Sequence, residues 1–333
     1  MSDHPSVPRH GLSRRTLAKA AALGVAGALT GTWRASAAGV TATQLGPRTY
    51  DLNIPSAALG RTAPVRIILP TSYAAQPGRT WPVLHLLHGA HDDYNSWTRE
   101  TDIEAFTANR DLIVAMPDGG PTGIPTRWKT GPDHETFQLR EVTAVLRASY
   151  RASTVQAVAG VSTGGYGAMA HAARNPGTFV AAASYSGIPA TTVTNMPKIV
   201  EAIVRRENLD PLMLWGAPTT DSAVWEDFNP VARASGLRGT ALYVSVGTGS
   251  LNGGLGAVLA LLQIITGGTG SVTPGVLESL VTSSTQNFVT TLGQLGIPAT
   301  QHVYPGGGHQ WSDWQREFTS SWPVLARALG LPA

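Results

Sequence analysis

The 333-residue chain contains no cysteine. Disulfides, a thiolate nucleophile and cysteine-ligated zinc are thereby excluded, and stability must come from a packed core. Charge is also sparse, at 14% of residues, and aromatics make up 7%. The basic balance of the whole chain is local. Of 24 basic and 21 acidic side chains, five (Arg9, Arg14, Arg15, Lys19, Arg34) and one (Asp3) fall within residues 1–38, which leaves 19 and 20, net −1, for the remainder. Beyond residue 38 there is therefore no basic footprint for nucleic acid. Metal and nucleotide cofactors are not expected either. "DHETF" (133–137) and the pair His85/His88 lack the spacing of a zinc site, and no phosphate-binding loop is visible.

The first 38 residues carry a pattern of their own. "GLSRRTLAKAAALGVAGALTG" (11–31) places a twin arginine before a modest apolar run, and "ASAA" (35–38) offers small residues for cleavage. The run is too short and too rich in Ala and Gly for a membrane span. It reads as a twin-arginine export signal, 1–38, ahead of one domain, 39–333. The product would be secreted or cell-wall associated, with no stable membrane span after cleavage.

Hydrophobic residues make up 42% of the chain, enough for a substantial core. Short apolar runs recur: "PVRIILP" (64–70), "PVLHLLH" (82–88), "DLIVAMP" (111–117), "TVQAVAG" (154–160), "FVAAASYSG" (179–187), "ALYVSVG" (241–247) and "TQHVYP" (300–305). Several are apolar almost throughout, as suits strands buried on both faces. Helix-like segments such as "FQLREVTAVLRAS" (137–149) and "GYGAMAHAARN" (165–175) lie between them. This alternation predicts an α/β domain with a mostly parallel central sheet flanked by helices. The glycine-fenced apolar stretch 253–275 departs from the rhythm. It reads as a flap over an apolar site, with an ordinary buried helix as the alternative.

In "AVAGVSTGGYGAMA" (157–170), Gly160-Val161-Ser162-Thr163-Gly164 fits G-x-S-x-G. With 37 glycines in the chain the pattern alone is weak. Its position between a strand-like and a helix-like run is what a nucleophile elbow of the α/β-hydrolase fold requires. A serine hydroxyl needs a base to take its proton and an acid to orient that base, here expected in the chain order serine, acid, histidine. "TQHVYPGGGHQWSDW" (300–314) offers two histidines. His302 lies inside the strand-like run, while His309 follows three glycines in a loop and is the better base. Between "ALYVSVG" and His309 the only carboxylate side chain is Glu278. The expected triad is Ser162, Glu278 and His309. Oxyanion donors are expected from the N–H of Thr163 and from Ala90 or its neighbour.

The segments "LLHGAHDDYNSW" (86–97), "IVAMPDGG" (113–120), "LMLWGAPTTDSAVWEDFNP" (212–230), "VLESLVTSS" (276–284) and "HQWSDW" (309–314) resemble the antigen 85 mycolyltransferases and secreted actinobacterial esterases. The similarity runs in order from about residue 48 to 330. It implies the same triad and oxyanion donors at Ala90 and Thr163. It also implies substrate contacts from Ser284, Trp311 and the "DDYNSW" loop, with Asp93 and Trp97, and at the position of His88. There the mycolyltransferases carry an aspartate that holds trehalose. A neighbouring sugar-binding arginine falls where "GAHDD" is two residues shorter.

Three functions follow. The leading one is an exported serine esterase or acyltransferase acting on acyl esters, a class that includes lipids and glycolipids. The others are mycolyl transfer to trehalose and non-catalytic binding to cell wall or matrix.

Overall fold

The computed structural model describes residues 39–249 and 274–333. The expected leader (1–38) and nearly all of the 253–275 stretch lie outside them. Nine strands form one sheet in the order β1-β2-β3-β5-β4-β6-β7-β8-β9. These are β1 (Thr41–Gln44), β2 (Thr49–Ser56), β3 (Arg61–Ile68), β4 (Trp81–Leu87), β5 (Ile113–Pro117), β6 (Ala152–Val161), β7 (Ala181–Tyr185), β8 (Ala241–Gly247) and β9 (Thr300–Tyr304). β5, β4, β6, β7, β8 and β9 pair in parallel. β1, β2 and β3 extend the sheet antiparallel. The expected α/β-hydrolase architecture is what the chain adopts.

All seven apolar runs became strands. β5 and β7 are buried at every residue, as strands covered on both faces must be. β1 and β2 were not foreseen. β1 is exposed throughout, and the buried residues of β2 are Leu52 and Ile54 together with the polar Thr49 and Ser56, so neither makes an apolar run.

Alternation along the central strands sorts side chains into two layers. Ala157, Ala159 and Val161 of β6, with Ala181, Ala183 and Tyr185 of β7, pack beneath Trp314, Phe318, Trp322 and Leu325. Val158 and Ala182 face the other way, toward Ala168, Met169, Ala172 and Phe288. Helices named in chain order are α1 (Ser96–Glu100), α2 (Thr143–Tyr150), α3 (Thr163–Arg174), α4 (Met196–Arg206), α5 (Pro274–Gln294) and α6 (Trp311–Leu329). The expected helix 137–149 starts as a wide π turn, Phe137–Val142, and continues as α2.

Strand order reverses at β4, which has β5 on one side and β6 on the other. The carboxyl ends of strands flanking such a switch point frame a crevice where α/β proteins bind ligands. The loop after β4 and Ser162 after β6 both lie at those carboxyl ends. Among the described residues, no helix is long and apolar enough to cross a membrane, and no group of three or more His, Asp or Glu is placed to hold a metal ion.

Candidate active site

Ser162 is the single residue between β6 and α3, with φ +54° and ψ −123°. A non-glycine backbone there costs roughly 1–3 kcal/mol and must be held by its surroundings. The Ser162 N–H donates to the Tyr185 carbonyl at 2.9 Å, and the Tyr166 N–H donates to the Ser162 carbonyl at 3.0 Å. The flanking glycines permit the tight turn. A Cβ on Gly164 would fall 2.3 Å from the His88 carbonyl oxygen, and one on Gly160 would fall 2.2 Å from that of Gly164. The elbow therefore packs backbone against backbone, directly on the end of β4.

His309 sits in the loop between β9 and α6. The Gly308 N–H donates to Asp313 Oδ2 at 2.8 Å, anchoring the loop to the first turn of α6. The His309 ring meets Trp314 edge to face with centroids 5.0 Å apart. His309 Nε2 is 2.8 Å from Ser162 Oγ, and Nδ1 is 2.9 Å from Glu278 Oε2. A carboxylate only accepts, so the neutral ring carries its proton on Nδ1 and takes the serine proton on Nε2.

Glu278 lies in the second turn of α5 and is fully enclosed. Its other oxygen, Oε1, accepts the Gly247 N–H at 2.6 Å and the Ser186 hydroxyl at 2.7 Å. Burial, and next the negative charge of Glu278, push the nearby Tyr304 hydroxyl well above the ordinary tyrosine range, so it stays neutral beside the acid.

Thr163 is the first residue of α3, where a helix start leaves N–H groups without intrahelical acceptors. Ala90 follows Gly89, whose Cα lies so near the serine that an added Cβ would stand 3.2 Å from Ser162 Cβ. One expected oxyanion donor thus lies at the start of α3 and the other in the loop after β4, next to the glycine that approaches the serine.

The structure brings Ser162, His309 and Glu278 into one hydrogen-bonded row. His302 is held elsewhere, its Nδ1 2.8 Å from Glu317 Oε2. The expected substrate contacts divide. Asp93 is about half exposed and Trp311 is partly exposed, its ring 5.3 Å from Trp97. His88, Trp97 and Ser284 are 2%, 0% and 0% exposed. The Trp97 Nε1–H donates to the Leu87 carbonyl, and Ser284 Oγ accepts the Ala190 N–H. All three are enclosed, and each engages backbone through its polar atoms. Sequence reasoning missed Ser186. The signal was faint: a Ser-Gly pair, in "SYSG" (184–187), directly after the strand next to the elbow.

The family model described as "Putative esterase" matches residues 56–324. Esterase MT1326 of Mycobacterium tuberculosis is 30% identical over 276 residues, covering 78% of this chain and 56% of that protein. The chain thus spans little more than half the length of that relative. The diacylglycerol acyltransferase/mycolyltransferase Ag85B of Mycobacterium leprae is 28% identical over 84% of this chain and 83% of its own. The crystal structure of Mycobacterium tuberculosis MPT51 superposes with a TM-score of 0.64 at 21% identity, covering 87% of this chain and 98% of that one. At that identity the likeness speaks for the fold alone.

Proposed function

The chain belongs to the esterase family matched over residues 56–324, and on that premise we propose that it is an exported serine esterase or acyltransferase working through an acyl-serine intermediate. The observation that carries the proposal is the row Ser162 Oγ, His309, Glu278 at 2.8 and 2.9 Å. Ser162 Oγ attacks the ester carbonyl carbon while His309 Nε2 takes its proton. Glu278 orients the imidazole and stabilises the imidazolium. The N–H groups of Ala90 and Thr163 stabilise the tetrahedral oxyanion, each worth roughly 3 kcal/mol in such sites. His309 then hands the proton to the leaving oxygen as the C–O bond breaks. Water or an alcohol attacks the acyl-serine with His309 again as base, and the proton returns to Ser162.

Hydrolysis and transfer share this intermediate, and the acceptor alone separates them. Hydrolysis is favoured over transfer to trehalose, because His88, standing where the mycolyltransferases carry a sugar-holding aspartate, is enclosed and engaged with backbone. Residues 1–38 are assigned as an export leader, and 39–333 as a single domain, on the sequence pattern alone.

Turnover of a p-nitrophenyl ester by the purified protein, absent in Ser162→Ala, is the expected result, together with fluorophosphonate labelling at Ser162. Equal turnover in both proteins removes the proposal, and a folded protein that neither turns over nor labels favours binding without catalysis. Trehalose with a mycolate donor tests the transfer activity.

A further inference from the structure

His88 takes no part in the proton relay, yet both of its ring nitrogens are tied down. Nδ1 is 2.8 Å from the Gly89 carbonyl oxygen, and Nε2 accepts the Gly119 N–H at 2.9 Å. A nitrogen that accepts carries no proton, so the neutral ring keeps its proton on Nδ1 and donates it to the Gly89 carbonyl. That carbonyl shares its peptide plane with the Ala90 N–H. In a trans peptide the two groups point in opposite directions, so fixing one aims the other. No cis peptide occurs among the described residues.

We infer that His88 is a positioning residue for the oxyanion site: it holds the Gly89 carbonyl and thereby aims the Ala90 N–H, without touching the reacting atoms itself. The inference rests on the acyl-transfer function proposed above and assigns His88 a role other than substrate contact.

The surroundings are built to keep that ring in place. The Gly120 N–H donates to Asp118 Oδ1 at 3.1 Å, and Gln138 Nε2 donates to the Asp118 carbonyl at 3.0 Å. Gln138, brought there by the π turn, accepts in turn from His171 Nε2 at 2.9 Å. On the far side of the peptide, the His91 N–H donates to the Pro121 carbonyl at 2.8 Å. Peptide 89–90 is therefore bracketed by two hydrogen bonds to the same loop, at Gly119 and Pro121. Gly123, with φ +57°, closes over it, and a Cβ there would fall 2.5 Å from the Gly89 oxygen. An acceptor-only carboxylate in place of His88 could not bond that oxygen.

The test compares His88→Leu, His88→Asn and His88→Gln with the full-length wild type. An Asn amide can donate from near the Nδ1 position, whereas Gln reaches toward Nε2 and leaves the Gly89 carbonyl unheld. In ester hydrolysis, Leu and Gln should lower kcat by roughly 30- to 1,000-fold, the range up to full loss of one oxyanion donor. KM should stay within about twofold, since the donor acts on the transition state. Affinity for a phenylboronic acid, which forms a tetrahedral serine adduct, should weaken in proportion to kcat. Asn should recover at least about tenfold of what Gln loses, given its donor at the Nδ1 position. If Leu fails to fold, the Asn and Gln pair decides alone. A raised KM at unchanged kcat overturns the inference in favour of substrate contact. Equal losses in Asn and Gln overturn it in favour of a purely structural ring. A wild type without turnover or Ser162 labelling defeats the proposed function itself, whereas an active wild type with an undiminished Leu variant defeats only this inference.

Discussion

Ser186 Oγ donates to Glu278 Oε1 across 2.7 Å, and Ser186 does so from a backbone with φ +50°. Two adjacent parallel strands, β6 and β7, thus each end in a serine in the left-handed region, one at the reacting position and one beneath the acid. With Oε1 held by Ser186 and Gly247, Oε2 is left free to face His309. A hydrogen bond to a charged group is worth about 1.5–3 kcal/mol. Ser186→Ala is expected to lower kcat for p-nitrophenyl butyrate by roughly 10- to 100-fold at constant KM, on that energy scale. Glu278→Gln should lose about 10³-fold or more, as when the acid of a comparable triad is neutralised. An undiminished kcat in Ser186→Ala would leave the acid oriented by Gly247 alone.

Gly164, like Gly160, has no room for a Cβ unless backbone moves. A Cβ there meets two backbone oxygens of the β4 end, His88 at 2.3 Å and Leu87 at 2.6 Å, and neither can swing aside as a side chain would. Overpacking usually costs about 1–3 kcal/mol and more where nothing can yield. Gly164→Ala should therefore lower the thermal midpoint by at least ~5 °C, at roughly 2–4 °C per kcal/mol for a domain of this size, or abolish soluble protein. Gly78→Ala, where an added Cβ meets nothing within 4 Å, should stay close to wild type in the same melting experiment.

What the sequence made legible follows from where apolar burial is continuous. The central strands carry nearly continuous apolar runs because both of their faces are covered, whereas in β2 Leu52 and Ile54 stand beside polar neighbours and β1 is exposed throughout. Ser162 announces itself through flanking glycines that its φ of +54° and the approach of β4 demand. Glu278 and His309 stood out by elimination and by chain order, and the fold brings both to Ser162. Ser186 could not be singled out, since its role depends on β7 lying beside β6, a long-range fact no local pattern records. Trp97, named through the family resemblance as a substrate contact, has a wholly enclosed ring, and no local pattern in the sequence records that burial.

That enclosure makes Trp97 a stability residue. Its ring packs edge to face on Tyr185, Trp311 and Phe318, and its Nε1–H bonds the Leu87 carbonyl. Trp97→Ala should cost about 3–5 kcal/mol, seen as a lower urea midpoint. KM measured on the surviving folded fraction should barely move. Trp311, partly exposed at the edge of the same cluster, should behave the other way: Trp311→Ala changes KM more than the urea midpoint. A large KM change in Trp97→Ala at preserved stability would return that ring to the substrate site.

Acid should destabilise the fold through histidines that the reaction does not use. Burial lowers the pKa of His85, His134 and His171 to about 4 each, from an ordinary value of 6.5. Between those values the unfolded chain binds more protons than the folded one, so stability rises with pH across that window and falls as pH drops from about 6.5 toward 4. Each tenfold weakening of proton binding corresponds to about 1.4 kcal/mol, so even a single such histidine contributes on the order of a few kcal/mol. The thermal midpoint should fall progressively over this interval and level off below it as far as these groups are concerned. His171→Gln removes one of the titrating rings and keeps an amide able to donate to Gln138. The drop in midpoint from pH 7 to pH 4.5, followed by scanning fluorimetry, should therefore shrink in that variant. The same drop in both proteins would move the acid sensitivity from His171 to other groups.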